Sequence, residues 1–190
     1  SYALVLEATL ATERQNCRFG RVLIDGDNNI NIMYHETMDR LGIKAKQLQP
    51  SRTIFHGIVQ GLSCSPIGKI NIDDLFGDRD HFHHETIWFE VANLESPYHA
   101  LLGSPALAKF MMVPHYAYLK AKMAGLKGII TVAGDYKKSQ DCAAASSRLA
   151  ESLVIAQERR LLDRMVIMAS EKLAMPTNPK EAEVGASFQP

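Results

Sequence analysis

Short apolar runs separated by turn-forming residues fill the chain as far as Val132, and this pattern restricts the fold more than any other feature. The run at 85–92 alternates in polarity, with Ile87, Phe89 and Val91 on one face and Trp88 on the other, as expected of a half-buried strand. Short strands with few helices predict a mainly β domain. We predict strands at 2–10, 19–24, 53–59, 67–72, 85–92, 100–102, 116–123 and 128–132, and short helices at 30–41 and 105–110.

The composition changes after this region. Residues 139–173 contain neither Gly nor Pro and are rich in Ala, Leu, Glu and Arg. This composition predicts a helix of about 30 residues, or two helices with a soft joint. The helical spacing of four apolar residues predicts a packing face formed by Val154, Leu161, Met165 and Met168.

The last residues carry Pro176, Pro179, Gly185 and Pro190, which predict a disordered tail. The chain is therefore divided into a β domain at 1–135, a helical segment at 136–175 and a tail at 176–190.

Charge and cysteine content exclude several classes of function. Lys and Arg total 21 and Asp and Glu total 21, so this segment has no bulk positive charge with which to bind nucleic acid. No apolar run approaches the ~20 residues that would span a bilayer, so no membrane partner is expected. The widely spaced Cys17, Cys64 and Cys142 fit neither a disulfide framework nor a paired-cysteine metal site. We therefore expect an intracellular, cytoplasmic protein that is not secreted.

One apolar strand, Val22–Ile24, ends in Asp25-Gly26 and so delivers a carboxylate into a turn. A plain turn is the ordinary explanation of such a pair. A second apolar strand, at residues 100–102, ends in Gly103 and is followed by a helical turn, and the two elements together indicate an acid loop supported by a later strand. Between them, residues 55–61 carry two glycines and predict a hairpin with a mobile tip. Such a hairpin could cover a carboxylate site and exclude water.

The densest histidine cluster, His81, His83 and His84, is not accompanied by a Cys/His pair at zinc-binding spacing. We expect a solvated loop there and no metal. The sequence lacks the Gly-x-Ser-x-Gly elbow of serine hydrolases and the Gly-rich loop of nucleotide-binding proteins, and no cofactor is expected.

These segments, taken in order, are similar to a known family. The stretch from Val22 to Tyr34 resembles the retropepsin-like aspartic protease segment of plant Ty3/Gypsy-type retrotransposon polyproteins. The resemblance extends through residues 50–59, 89–92, 113–123 and 128–130, and is strongest at residues 98–107, Tyr-His-Ala-Leu-Leu-Gly-Ser-Pro-Ala-Leu. It covers roughly residues 20–145, as an ordered succession of blocks.

The resemblance implies a closed β-barrel of the acid protease type, with the helical segment as a connector within the polyprotein. It implies a homodimer that cleaves a polypeptide substrate with one aspartate from each chain. By this resemblance Asp25 is the catalytic residue. The implied active-site loop comprises Gly26, Asp27 and Asn28. The implied substrate-binding flap comprises His56, Gly57, Ile58, Val59 and Gly61. The block that supports the loop comprises Leu101, Leu102 and Gly103.

Three positions depart from the family pattern, in which Asp is usually followed by Ser or Thr and then Gly. Gly26 lacks the hydroxyl that braces the two catalytic loops, Asp27 stands where relatives have Gly, and Ser104 stands where relatives often have Arg. Two further hypotheses therefore remain open. The chain could be a catalytically degenerate module that dimerises or binds peptides, or its helix could be the functional part, as a protein–protein interaction segment.

Overall fold

Six strands close into a barrel in the computed structural model, which describes residues 3–59 and 62–174. The strands of the chain are β1 (Leu4–Ala11), β2 (Asn16–Ile24), β3 (Ile32–Tyr34), β4 (Phe55–Val59), β5 (Leu62–Cys64), β6 (Gly68–Gly77), β7 (Phe82–Ala92), β8 (Ala100–Leu102), β9 (Val113–His115), β10 (Lys120–Gly125) and β11 (Gly128–Ala133). The helices are α1 (His35–Arg40), α2 (Ser104–Phe110) and α3 (Tyr136–Ala174), with 3₁₀ turns at Ala45–Gln47 and Tyr116–Tyr118.

The barrel order is β1-β2-β8-β3-β7-β6, and the pairing of β1 with β6 closes it. β2 pairs with β8, and β3 with β7, in parallel, whereas the other barrel pairs are antiparallel. Outside the barrel, β4 and β5 form a hairpin and β9, β10 and β11 form a small sheet in the order β11-β10-β9. The predicted fold class, a mainly β closed barrel with a C-terminal helical extension, is confirmed.

Alternation of polarity along the strands places the core inside the barrel. In β7, Ile87, Phe89 and Val91 are buried and Trp88 is 43% exposed, as the sequence pattern predicts. Phe76 and Phe110 meet edge to face inside the core, with ring centroids 5.1 Å apart.

Two predicted elements change type over part of their length. Residues 30–41 were expected to form one helix, but Ile32–Tyr34 pair with β7 and β8, so the helix begins only at His35. Residues 116–123 were expected to form one strand, but the chain first makes a 3₁₀ turn. The His115 imidazole stabilises that turn by accepting a hydrogen bond from the Tyr118 backbone at 3.2 Å.

α3 confirms the predicted long helix and contains 39 residues. The chain divides into two compact units, Ser1–Glu151 and Ser152–Pro190. In the first unit, Ser139 and Cys142 of α3 are buried. In the second unit, the predicted packing face is wrong for the single chain, because its side chains are exposed: Val154, Leu161, Met165 and Met168. The tail at 176–190 lies outside the described residues.

Candidate active site

The parallel pairing of β2 with β8 fixes the position of Asp25. Val22 lies opposite Ala100 and Ile24 lies opposite Leu102, so both strands end at the same edge of the barrel. The backbone N–H of Asp25 continues this pairing by donating to the Leu102 carbonyl at 3.0 Å. Because Val22, Ile24 and Leu102 are fully buried, the strand ends are anchored in the core, and Asp25 emerges half-buried at the rim.

A tight turn orients the Asp25 carboxylate. The Asn28 backbone N–H donates to the Asp25 carbonyl at 3.2 Å, which closes the turn. The Asp27 backbone N–H donates to Oδ1 of Asp25, also at 3.2 Å. One oxygen of the carboxylate is therefore held by the loop's own backbone, in the manner of an Asx turn.

The junction between β8 and α2 supports this loop from the other side. The Ser104 N–H donates to the Asn28 carbonyl at 2.7 Å. A Cβ atom on Gly103 would lie under 3.0 Å from the carbonyl oxygens of Ile30 and Asn28, closer than real Cβ atoms come. Glycine is therefore required at 103 by the close approach of the two backbones. The structure thus brings the predicted Asp25 loop and the predicted block at 101–103 together.

Two residues that the sequence did not single out complete the support. The Asn31 side chain is buried; its Oδ1 accepts from the Gly103 N–H at 2.9 Å and its Nδ2 donates to the Trp88 carbonyl at 3.1 Å. The Tyr116 hydroxyl accepts from the Gly26 N–H at 3.2 Å. A polar residue immediately before the apolar run at 32–34 was a usable signal for Asn31, whereas nothing local marked Tyr116.

The two unusual loop residues fit the turn without strain. Asp27 is exposed, and it is not among the described non-glycine residues with positive φ, which are Met111 and Leu119. A Cβ atom on Gly26 would meet Leu107 and Tyr116 only at 3.5 Å, an ordinary van der Waals distance. The loop therefore has room for a side chain at 26 and imposes no left-handed conformation at 27.

The predicted flap falls on a hairpin. His56, Gly57, Ile58 and Val59 lie in β4, which pairs antiparallel with β5. Gly61 lies outside the described residues.

The histidine cluster is not the solvated loop that was expected, because His83 and His84 lie in β7 and pair with β6. His81 lies 3.3 Å from the Gly128 carbonyl, His83 lies 2.9 Å from Glu85, and His84 lies 3.3 Å from Asp73. Within residues 3–59 and 62–174, no three His, Cys, Asp or Glu side chains come together in a way that could hold a metal ion. In the same ranges, no helix is both long enough and apolar enough to cross a membrane.

Comparison with solved structures finds proteins whose fold is similar to that of this chain, two of which are described here. The retroviral protease-like domain of Ddi1 from Leishmania major is 13% identical, with a TM-score of 0.45 over 68% of this chain and 91% of that one. A retropepsin-like aspartic protease from Rickettsia conorii is 15% identical, with a TM-score of 0.37 over 66% of this chain and 79% of that one. No protein-family model and no curated protein matches the sequence.

Proposed function

We propose that this chain is one half of an aspartic endopeptidase, derived from a Ty3/Gypsy-type retrotransposon polyprotein and active as a homodimer. The observation that carries the proposal is the Asp25 loop, which projects a half-buried carboxylate from the end of a buried strand and is braced by Gly103 and Asn31. In the proposed homodimer, a two-fold axis brings the Asp25 of a second chain beside the first and completes the acid pair.

Two Asp25 carboxylates at hydrogen-bond distance would share one proton, because two like charges so close cannot both ionise cheaply. The ionised carboxylate takes a proton from a water molecule, and the oxygen of that water attacks the scissile carbonyl carbon. The protonated carboxylate donates its hydrogen to the carbonyl oxygen as that oxygen gains charge. The C–N bond then breaks as the proton taken from water passes to the leaving nitrogen, and the carbonyl re-forms as its hydroxyl proton returns to the carboxylate pair. The two apparent pKa values of such a site belong to the pair and not to either residue.

Other parts of the chain take supporting roles in this proposal. The β4–β5 hairpin covers the polypeptide substrate, so that water is excluded from the acid pair. Residues 1–135 form the protease domain and residues 136–175 form the connector to the next part of the polyprotein. Since Ser139 and Cys142 are buried in the first unit, a truncation that preserves the barrel has to retain the first turns of α3.

The alternative function is a degenerate module that dimerises or binds peptides without cleaving them. The absence of a side-chain hydroxyl at Gly26 and the additional carboxylate of Asp27 favour it. Against it stands the unstrained geometry of the loop, in which Asp27 is exposed. The two functions differ in whether the acid pair still performs chemistry.

A cleavage assay on a peptide library at mildly acid pH, with and without pepstatin, separates them. We expect pepstatin-sensitive cleavage that Asp25→Asn abolishes and that Asp27→Asn retains, since Asp27 is outside the proposed acid pair. Cleavage by Asp25→Asn at the wild-type rate would overturn the enzymatic proposal.

The double variant Gly26→Ser with Asp27→Gly restores the pattern of the resembling family in a loop that has room for it. We expect it to raise the cleavage rate at least tenfold, or roughly 1.4 kcal/mol of barrier, at matched dimer fraction. Absence of cleavage in both wild type and double variant, with dimers present, would overturn the enzymatic proposal.

A further inference from the structure

A pocket of ≈ 700 Å³ lies between β2, α1 and the first turns of α3, toward the opposite end of the β2–β8 pair from Asp25. Arg21, on its wall, precedes Asp25 by four residues, or roughly 13 Å along a strand. Five cationic side chains line the pocket: Arg18, Arg21, Arg40, Lys137 and Lys138. Three carboxylates also line it: Glu36, Asp135 and Asp141. Glu7, which is paired with Arg18, is a fourth carboxylate beside this lining, so five cations against four anions leave one net positive charge.

Some of these charges already have partners. The Asp135 carboxylate accepts from the Lys138 backbone N–H at 2.7 Å, at the start of α3. Arg18 is paired with Glu7 at 2.9 Å, and the Arg21 side chain donates to the Pro97 carbonyl at 2.7 Å. The beginning of α3 adds the positive end of a helix dipole to the same wall.

His99 contributes a ring hydrogen to the pocket. Its ring is buried and its Nδ1 accepts from the Arg21 backbone N–H at 3.2 Å. A backbone N–H is always a donor, so the hydrogen of the neutral ring is on Nε2. Nε2 lies 3.3 Å from Nη1 of Arg40, and guanidinium nitrogens only donate. With that tautomer, both groups at this contact are donors.

The same phenyl ring, that of Phe19, contacts both His99 and Arg40. The Arg40 guanidinium lies over the Phe19 ring, 4.5 Å from its centroid, and the His99 ring contacts the same phenyl edge to face at 5.2 Å. Burial, followed by the charges of Arg21, Arg40 and Lys138, lowers the pKa of His99 to about 4, so the ring is neutral at pH 7 and has a single hydrogen to donate.

We propose that this pocket binds a small tetrahedral oxyanion of the phosphate class. One of its oxygens accepts from Nε2–H of His99 and from Arg40, which resolves the conflict between the two donors. The net positive charge that remains after the pairing of Arg18 with Glu7 favours an anion over a neutral ligand. Donors arriving from three elements also suit a tetrahedral group better than a planar one.

Binding there would stabilise the strand pair that carries the acid loop. His99 is adjacent to β8, its N–H donates to the Arg21 carbonyl at 2.9 Å, and its own carbonyl accepts from the Thr37 hydroxyl at 2.7 Å. A ligand bound to the His99 ring is thus connected to β2, β8 and α1. Because such a ligand binds the native state alone, it raises the melting temperature.

Thermal unfolding and calorimetric titration of the full chain with inorganic phosphate test the proposal, with sodium chloride at matched ionic strength as the reference. We expect a saturable rise in Tm with phosphate, and at least about tenfold weaker binding in Arg40→Gln. Arg79→Gln is the matched control, since Arg79 is also exposed but does not line the pocket, and it should bind as the wild type does.

Three results would overturn the proposal: no effect of phosphate beyond that of chloride, equal binding in Arg40→Gln and wild type, or acetate binding as tightly as phosphate. Since His99 is buried and its replacement could unfold the chain, the histidine is tested in the wild type. Phosphate should shift the ¹⁵N resonance of His99 Nε2 in a saturable way, and an unchanged resonance at saturating phosphate contradicts the assignment.

Discussion

Asp25 and Asp74 are the same residue type in two opposite environments. Asp25 follows the end of β2, is half-buried, and has one carboxylate oxygen held by the Asp27 N–H at 3.2 Å. Asp74 is in the middle of β6, is 0% exposed, and neither of its oxygens has a hydrogen bond of good geometry among the described residues. Burial raises the pKa of Asp74 to about 8, and the Leu75 N–H offsets only part of that rise.

The difference shows how position along a strand decides the chemistry of a carboxyl group. At the end of a strand, solvent and backbone N–H groups are within reach, so the group can take part in proton transfer. Asp74 shares the inner face of the barrel with the buried Ile72 and Phe76, so it is neutral at pH 7 and costs stability when it ionises. The first environment suits catalysis, and the second links the stability of the fold to pH.

The largest expected effect on stability comes from a substitution that disrupts the support of the Asp25 loop. Gly103→Ala places a Cβ atom against the carbonyl oxygens of Ile30 and Asn28, which are backbone atoms and cannot move aside cheaply. We expect a loss of more than about 4 kcal/mol in the free energy of unfolding, or failure to fold. Urea unfolding measures it.

Gly26→Ala is the control for that change, because its Cβ atom meets side chains only at 3.5 Å, and it should change stability by less than about 1 kcal/mol. Equal stabilities of the two alanine variants would show that the junction at Gly103 is not the close contact described here.

The second prediction concerns Asp74. Native Asp74 holds its proton up to about pH 8, whereas in the unfolded chain the group has its ordinary pKa of 3.8 and loses the proton there. The native state therefore binds more protons between these limits, and the free energy of unfolding falls as pH rises, by about 1.4 kcal/mol per pH unit. Asp74→Asn should abolish this fall, which amounts to roughly 3 kcal/mol between pH 5 and 7.

Urea unfolding at a series of pH values measures this slope. Asp80→Asn is the matched control, since Asp80 is exposed, and it should leave the slope as in the wild type. A slope that is unchanged in Asp74→Asn would contradict the assignment of the titrating group.

The sequence pattern identified Asp25 at the end of its strand but did not identify Asp74 inside the barrel. The strand that ends in Asp25 and the glycine at 103 are local patterns, and the structure brings them together. The predicted strand at 67–72 stopped before the acids at 73 and 74, but pairing with β7 continues to Gly77 and turns Asp74 inward. Tertiary pairing thus overrode a polar pair that resembles the end of a strand.

The supporting residues were missed because their partners are distant in sequence. Asn31 bonds to a residue 72 positions away and Tyr116 to one 90 positions away, and no local spacing encodes either contact. On α3 the local pattern predicted the helix correctly but also predicted a contact that is not present. Val154 and Leu161 lie at helical spacing, yet both are exposed in the single chain.

The smallest expected effect is on Tyr116, whose hydroxyl accepts from the Gly26 N–H. Tyr116→Phe leaves that donor to solvent and should reduce stability by about 1 kcal/mol. Tyr118→Phe, at a side chain that is 73% exposed, should change nothing measurable. Thermal unfolding of the two variants compares them, and equal melting temperatures would remove Tyr116 from the support of the Asp25 loop.

The central claim, that two chains each contribute one Asp25 to a shared site, is tested most directly by mixing subunits. Wild-type chain at fixed concentration is equilibrated with a ninefold excess of Asp25→Asn chain, and peptide cleavage is measured after exchange. Random pairing places most wild-type chains in mixed dimers with one acid, so activity should fall to about one tenth. Activity that stays at the wild-type level would show that each chain acts alone and would contradict the shared site.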